Sequence, residues 1–93
     1  MGMVTALDKF CANIEDPTAD NLMFDHDGLN YMISYCGRYI VTEDLETGEE
    51  MEYCIPGEGA DFVTAVLDSR VNKTRDMSIR EILAGLPPEK LLV

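Results

Sequence analysis

The chain has 93 residues, with 18 acidic side chains against seven Lys and Arg, and a formal net charge of −11 at pH 7. Hydrophobic residues make up 46%, which excludes a disordered acidic tail, because disorder requires low hydrophobicity as well as high charge. The length fits one small domain, residues 1–93, and excludes multidomain enzymes, TIM barrels and doubly wound dinucleotide-binding folds. The charge argues against nucleic acid or an anionic membrane as a direct ligand, since both require Lys and Arg.

The first predicted element is a helix over residues 6–15. Thr5 is a typical N-cap residue, and the apolar side chains at positions 7, 10, 11 and 14 follow helical spacing. Pro17 ends the helix at or before Asp16, because a proline disfavours helical backbone in the residue before it. A polar loop is expected from there to position 21.

The middle of the chain predicts three or four antiparallel strands. Residues 22–26 are rich in apolar side chains, and Asp27-Gly28 behind them is a strong signal for a tight hairpin turn. Residues 29–36 then alternate between apolar and other side chains, which is typical of a strand with one buried face. Gly37 ends this segment as a turn or a bulge.

The clearest hairpin joins residues 38–44 to residues 49–55 through a turn that Gly48 closes in the left-handed region. If Asp44 pairs with Glu49, Glu43 lies opposite Glu50. The face predicted to cover the core carries Ile40, Thr42, Met51, Tyr53 and Ile55, and the other face carries Tyr39, Val41, Glu43, Glu50, Glu52 and Cys54.

Two helices are predicted after the strands, over residues 60–71 and 79–84. The first has apolar side chains at positions 62, 63, 66 and 67, with Arg70 and Lys73 at its end to match the helix dipole. Its β-branched residues leave a strand over 62–67 as the alternative. Ser78 and Glu81 form a capping box for the second helix, and the apolar residues 91–93 are expected to dock.

This order of elements predicts an α+β fold. A three- to four-stranded antiparallel sheet is flanked by an N-terminal helix and one or two C-terminal helices on one face. The other face of the sheet is then open. Met32, Cys36 and Tyr39 are predicted to form an apolar patch there, through which two copies of the chain would associate as a homodimer.

The acidic residues are concentrated in one half of the chain. Residues 1–62 contain 14 acids and two bases, whereas residues 63–93 contain four acids and five bases. The densest cluster is the hairpin set Glu43, Asp44, Glu46, Glu49, Glu50 and Glu52. Like charges that face each other across two strands are destabilising, so folding alone gives no reason for Glu43 to face Glu50.

Two interpretations of this acidic hairpin stay open. In one, the hairpin binds a basic protein surface, with Glu50 and Glu52 about 6.5–7 Å apart, so that they imitate consecutive phosphates of a nucleic acid. In the other, the charge only keeps the hairpin solvated and protects a sheet edge.

Other clusters give no site. Asp16, Asp20, Asp25 and Asp27 form a second acidic group, but the EF-hand pattern requires acids at positions 23 and 34, where the chain has Met and Ser. Gly57-Glu58-Gly59 lacks a third glycine and carries an acid that would repel phosphate. His26, the only histidine, is expected in an exposed turn. The sequence therefore predicts no enzyme, cofactor or metal.

The cysteines indicate the redox state of the cellular compartment. Cys11, Cys36 and Cys54 are odd in number and widely spaced, which predicts reduced thiols packed as small apolar residues in a cytoplasmic protein. No signal peptide and no apolar segment of about 20 residues is visible.

The predicted function is a non-enzymatic interaction protein, such as a small inhibitor, adaptor or chaperone. Its acidic hairpin would dock on a basic surface, for example that of a nucleic-acid-binding protein. The alternative is a structural homo-oligomer with its interface on the Tyr/Met sheet face.

Overall fold

The structure, a computed structural model, describes residues 4–14 and 21–92. Its elements in chain order are α1 (Ala6–Asn13), β1 (Leu22–His26), β2 (Leu29–Ser34), β3 (Tyr39–Asp44), β4 (Glu50–Cys54), α2 (Ala60–Asp68), α3 (Ile79–Ala84) and a 3-10 turn (Pro88–Lys90). The predicted α+β fold is confirmed. Position 15, the last of the predicted first helix, and positions 16–20 of the predicted loop lie outside the described residues.

The four strands form one antiparallel sheet in the order β1-β2-β3-β4, so each strand pairs with its neighbours in sequence. Tight turns account for this order. Asp27 and Gly28 both have positive φ between β1 and β2, and Gly48 has φ 76° between β3 and β4. The register of the β3–β4 hairpin is the predicted one, with Glu43 opposite Glu50 and Val41 opposite Glu52.

One face of the sheet covers the hydrophobic core. Alternate residues of β1, β2 and β3 are buried on it, and the helices contribute the other side of the same cluster. The strand side chains in the core are Leu22, Phe24, Leu29, Tyr31, Ile33 and Ile40, and the helical ones include Ala6, Phe10, Phe62, Val66, Leu67, Ile79, Ile82 and Leu83. We call this the helix face, and the opposite side of the sheet the open face.

Capping residues define where two of the helices begin. The Thr5 hydroxyl accepts from the backbone N–H of Asp8, and the Asp8 carboxylate accepts from the N–H of Thr5, which makes a capping box. Ser78 and Glu81 form the predicted box at α3, and α3 has the predicted bounds.

The segment over residues 60–68 is a helix and not the alternative strand, but it ends earlier than predicted. The Ser69 hydroxyl donates to the carbonyl of Ala65, and the Ser69 carbonyl accepts from the N–H of Ile79, at 3.0 Å. That carbonyl would accept from residue 73 if the helix continued. Arg70 and Lys73 therefore lie beyond α2, and the prediction that they complement its dipole is wrong.

Strand β2 also ends early, because the Ser34 carbonyl accepts from the N–H of Arg38 and the Ser34 hydroxyl accepts from the N–H of Gly37. These bonds close a turn over residues 35–38. Cys36 therefore lies in this turn, off the sheet, and the prediction that it continues the strand is wrong.

Leu91 and Leu92 dock on the rest of the fold, as the apolar pattern predicts, and Val93 of the predicted segment lies outside the described residues. Leu91 is fully buried, and Leu92 exchanges two backbone hydrogen bonds with Met23 of β1, at 2.8 and 2.9 Å. The Lys9 ammonium of α1 donates to the carbonyls of Pro88 and Leu91. The chain thus protects the β1 edge with its own last turn.

All three cysteines are free, but the prediction that they pack inside is wrong, because Cys11, Cys36 and Cys54 are exposed. On α1 the buried stripe runs through Ala6, Phe10 and Ile14 and leaves Cys11 outside it. Cys54 lies on the open face of the last strand. No helix among residues 4–14 and 21–92 is both long and apolar enough to cross a membrane.

Candidate protein-binding face

Acidic side chains form a row across the open face. The register places Asp25 of β1 beside Asn30 of β2, Asn30 beside Glu43 of β3, and Glu43 beside Glu50 of β4. Directly opposed residues have Cβ atoms about 4.5–5.5 Å apart. Three carboxylates from three strands therefore share one row, and Glu52 lies on the same face two residues after Glu50.

An apolar row runs beside the acidic one. Leu92 lies next to Met23, Met23 next to Met32, and Met32 next to Val41, after which Glu52 ends the row on β4. The side chains of Met23, Met32 and Val41 are half-buried by their neighbours in the sheet, and Leu92 is 62% exposed. The open face thus combines an apolar row with a negatively charged one.

Tyr39 covers the far end of the open face. Its ring packs against Gly37, where an added Cβ would clash with the Tyr39 Cε2 atom. Ser34 is buried at this end, and Cys54 lies opposite Tyr39 on β4. Of the predicted interface residues, Met32 and Tyr39 are therefore on the open face. Cys36 is in the turn beside it, in a cleft of about 440 Å³ on the Phe62 side.

The acids of the open face have no cationic partner within the described residues. All seven Lys and Arg side chains lie in those residues, and the four ion pairs there use other acids: Arg38–Glu58, Arg70–Glu81, Lys73–Asp44 and Arg80–Asp68. Lys9 is engaged with backbone carbonyls. The negative charge of Asp25, Glu43, Glu50 and Glu52 is thus uncompensated by the fold.

The predicted acidic cluster divides into two groups. Glu43, Glu50 and Glu52 lie on the open face, whereas Asp44 lies on the helix face of β3 and Glu46 in the turn. Glu49 flanks the turn and lines a cleft between β4 and residues 71–75. The structure therefore brings three of the six residues together on one face.

Asp44 has a structural role in the turn. Its carboxylate accepts from the N–H groups of Glu46 and Thr47, and the Lys73 ammonium lies 3.8 Å away. The bond from Glu46, with those of Thr47 and the charge of Lys73, lowers the pKa of Asp44 against a smaller opposing effect of desolvation. Asp44 therefore stabilises the hairpin turn, and it contributes less to the charge of the open face than Glu43, Glu50 and Glu52 do.

Sequence reasoning missed Asp25, which it assigned to a separate acidic cluster. The Asp27-Gly28 turn fixes Asp25 opposite Asn30, and this could have been derived from the sequence. The next step, Asn30 opposite Glu43, depends on the length of the turn over residues 35–38. Asp16 and Asp20 of that cluster lie outside the described residues.

The free edge of β4 carries unpaired backbone groups. The N–H of Asp44 donates to the carbonyl of Glu49, and the N–H of Ile55 donates to the carbonyl of Arg38. Because inward and outward residues alternate along an antiparallel strand, Met51 and Tyr53 bond to β3. The N–H and C=O groups of Glu50, Glu52 and Cys54 point away from the sheet.

The helix face near β4 is also uncovered. Met51 is 47% exposed. It lies in one row across the sheet with Phe24, Tyr31 and Thr42, which are all buried. A cleft of about 160 Å³ separates β4 from residues 71–75, and Lys73 and Arg75 line its other side. The two sides of β4 thus differ in charge: the open face is acidic, whereas the cleft combines Asp44 and Glu49 with Lys73 and Arg75.

Within the part of the chain that the structure describes, no group of three or more His, Cys, Asp or Glu side chains is placed to hold a metal ion. No protein-family model matches the chain, and no curated protein or solved structure matches it either.

Proposed function

We propose that this protein is a non-enzymatic interaction module whose open face docks on a basic surface of a partner protein. Its role would be that of a small inhibitor, adaptor or chaperone. The observation that carries the proposal is the row of carboxylates from Asp25, Glu43 and Glu50, with Glu52 beside it, which no cation of the described chain neutralises.

The energetics of the sheet support this proposal. Adjacent like charges on neighbouring strands destabilise a sheet, and Glu43 and Glu50 face each other directly. A basic partner would remove this repulsion, and its long-range attraction would speed encounter in a salt-dependent way. The apolar row from Leu92 to Val41 offers area for close packing once the partner has arrived.

One version of the proposal is that the face imitates nucleic acid. Along β4, Glu50 and Glu52 lie about 6.5–7 Å apart, which is close to the spacing of consecutive phosphates. The partner would then be a nucleic-acid-binding protein, and a duplex oligonucleotide would displace it from this chain. The three free, exposed cysteines fit a reducing compartment such as the cytoplasm.

The test compares two variants of equal charge. The open-face variant replaces Glu43, Glu50 and Glu52 with Gln. The control replaces Glu46, Glu49 and Glu89, three exposed acids in turns and at the C-terminal end, with Gln. Each variant and the unmodified protein are immobilised, exposed to a lysate of the source cells at low salt, and eluted with a salt gradient.

We expect the unmodified protein and the control to retain the same basic proteins, and the open-face variant to lose them. Circular dichroism and thermal unfolding establish that all three are folded. Equal retention by all three proteins would refute the proposal, because the effect would then belong to net charge alone.

A second candidate function is a structural homo-oligomer, favoured by the apolar row of Leu92, Met23, Met32 and Val41. Here the open faces of two copies would pack together, with Tyr39 at the rim. Light scattering over a dilution series distinguishes the candidates, since a chain that is monomeric at every concentration excludes the second. Replacing Met32 with Glu should dissociate such an oligomer.

A further inference from the structure

The free edge of β4 points to a specific way of binding. Three successive outward residues, Glu50, Glu52 and Cys54, present backbone N–H and C=O groups without partners in the described chain. An unpaired edge of this kind is a template for an added strand from another protein. The inference rests on the proposed function and names the form in which the basic partner is recognised.

The two sides of β4 specify the side chains of such a strand. On the open face, Glu50 and Glu52 would lie beside every second residue of the added strand, where Lys or Arg forms opposite-charge pairs. On the helix face, Met51 and Tyr53 would lie beside the intervening residues. The exposed surface of Met51 and the half-buried ring of Tyr53 favour aliphatic side chains there.

The helix side of β4 carries no net preference for cations. The cleft next to Met51 and Tyr53 is lined by Asp44 and Glu49 as well as by Lys73 and Arg75, and Lys73 is already paired with Asp44, so apolar contact with Met51 and Tyr53 decides which side chains fit there. The strand that fits is therefore one in which basic and aliphatic residues alternate, with its basic side chains on the open face.

A second copy of this chain fits the edge poorly. In an antiparallel β4–β4 pair centred on Glu52, the two Glu52 side chains would face each other, and each Glu50 would lie beside the other copy's Cys54. Facing glutamates destabilise such a pair. The same two glutamates thus oppose self-pairing and attract a basic strand.

We propose that the β4 edge binds an extended segment of a partner protein, with alternating basic and aliphatic residues, by adding it to the sheet as a fifth strand. The backbone groups of Glu50, Glu52 and Cys54 supply the hydrogen bonds. Glu50 and Glu52 select the basic side chains, and Met51 and Tyr53 pack against the aliphatic ones.

The test uses a synthetic peptide in which Lys and Val alternate, and a control peptide of the same composition with all Lys residues grouped together. Binding to the full chain is measured by fluorescence anisotropy, and backbone amide exchange by NMR. We expect the alternating peptide to bind at least about tenfold more tightly and to slow exchange at Glu52 and Cys54. The amides of Met51 and Tyr53 already bond to β3 and should change little.

Two further comparisons separate backbone pairing from charge. Two N-methylated peptides are compared, one methylated at every Lys amide and the other at every Val amide. Because only one edge of the peptide faces β4, we expect one of these peptides to lose binding and the other to keep it. In the protein, Cys54→Pro removes an outward N–H and keeps every acid, with Cys54→Ala as its matched control. We expect Pro, and not Ala, to weaken binding about tenfold.

The outcomes distinguish this inference from the proposed function. Strand addition is overturned if the alternating and grouped peptides bind equally, or if methylation of either set of peptide amides has the same effect. If strand addition is overturned but the open-face variant still loses its basic partners, the acidic face binds them by another geometry. If the peptide adds to β4 but the open-face variant keeps its partners, the edge binds strands and the proposed function is wrong.

Discussion

At the β1 edge the backbone of Met23 is hydrogen-bonded to Leu92, whereas at the β4 edge the outward groups of Glu50, Glu52 and Cys54 have no partner among the described residues. The β1 edge is protected by hydrogen bonds and apolar contacts, and the β4 edge by negative charge. An edge whose backbone groups are already hydrogen-bonded cannot pair with any added strand, whereas a charged edge repels only strands of like charge. The β1 edge is thus blocked at Met23, although the outward backbone groups of Asp25 have no partner among the described residues, and the β4 edge is selective.

Burial follows the same direction across the sheet. In the row formed by Phe24, Tyr31, Thr42 and Met51, the exposed fractions are 1%, 0%, 4% and 47%. The helices therefore cover β1 to β3 and leave β4 largely without a second layer. Folding stability is expected to reside at the β1 side, and binding at the β4 side.

The largest effect is expected from truncating the two ends of this row. Phe24→Ala should lower the free energy of unfolding by about 3–5 kcal/mol, because it removes a buried ring that stacks on Tyr31 with centroids 4.7 Å apart. Met51→Ala should cost less than about 1 kcal/mol. Urea unfolding measures both, and equal costs would show that β4 is covered as well as β1.

The next effect concerns the C-terminal protection of β1. Leu91→Ala should cost about 2–5 kcal/mol, since the side chain is fully buried. Leu92→Ala should cost no more than about 0.5 kcal/mol, because it leaves the backbone bonds to Met23 intact and removes an exposed side chain. A Leu92 variant as unstable as the Leu91 variant would mean that the exposed apolar row, and not the core, holds the tail.

A third variant removes the charge that protects β4. Replacing Glu50 and Glu52 with Val keeps β-propensity high and leaves an uncharged edge, which should self-associate, with a rise of about tenfold or more in the association constant. Asp25→Val at the β1 edge is a single-substitution comparison and should raise the association constant less, because the neighbouring outward residue Met23 is already bonded to Leu92. Analytical ultracentrifugation distinguishes them, and a monomeric Glu50/Glu52 variant would contradict the role of charge.

The sequence predicted features that depend on local rules. The turn closed by Gly48 fixes the β3–β4 register, and Ser78 and Glu81 fix the start of α3, because both rely on residues only a few positions apart. The open-face row could not be derived fully. Asp25 and Glu43 meet only through the turn over residues 35–38, whose form depends on a bond from Arg38 to Ser34.

Tertiary contacts explain the predictions that failed. Helix α2 ends where the Ser69 carbonyl bonds to Ile79 instead of continuing the helix, a contact between residues that local propensity does not connect. Cys11 has helical spacing with the buried side chains of α1 but lies outside the stripe that packs into the core. Helical periodicity predicts the centre of an apolar stripe, but it does not fix which residues at the margin of the stripe are buried.

The smallest effect tests how firmly the hairpin that presents β4 is held. The pKa of Asp44 is lowered by the N–H of Glu46, with further contributions from Thr47 and Lys73. A carboxyl whose pKa is lower in the folded state stabilises the fold above its unfolded pKa and loses that stabilisation as the pH falls through the folded value. Asp44→Asn keeps an acceptor for both N–H groups and removes the charge.

We therefore expect wild type to be more stable than Asp44→Asn at neutral pH, with the difference shrinking below about pH 4. Urea unfolding over this range measures it. Because Asp44 is near the surface, the difference should be small and should diminish in high salt, where the attraction of Lys73 is screened. A difference that stays constant with pH would mean that the neutral turn geometry holds the hairpin without the charge. The hairpin that carries Glu50 and Glu52 would then remain ordered in acid.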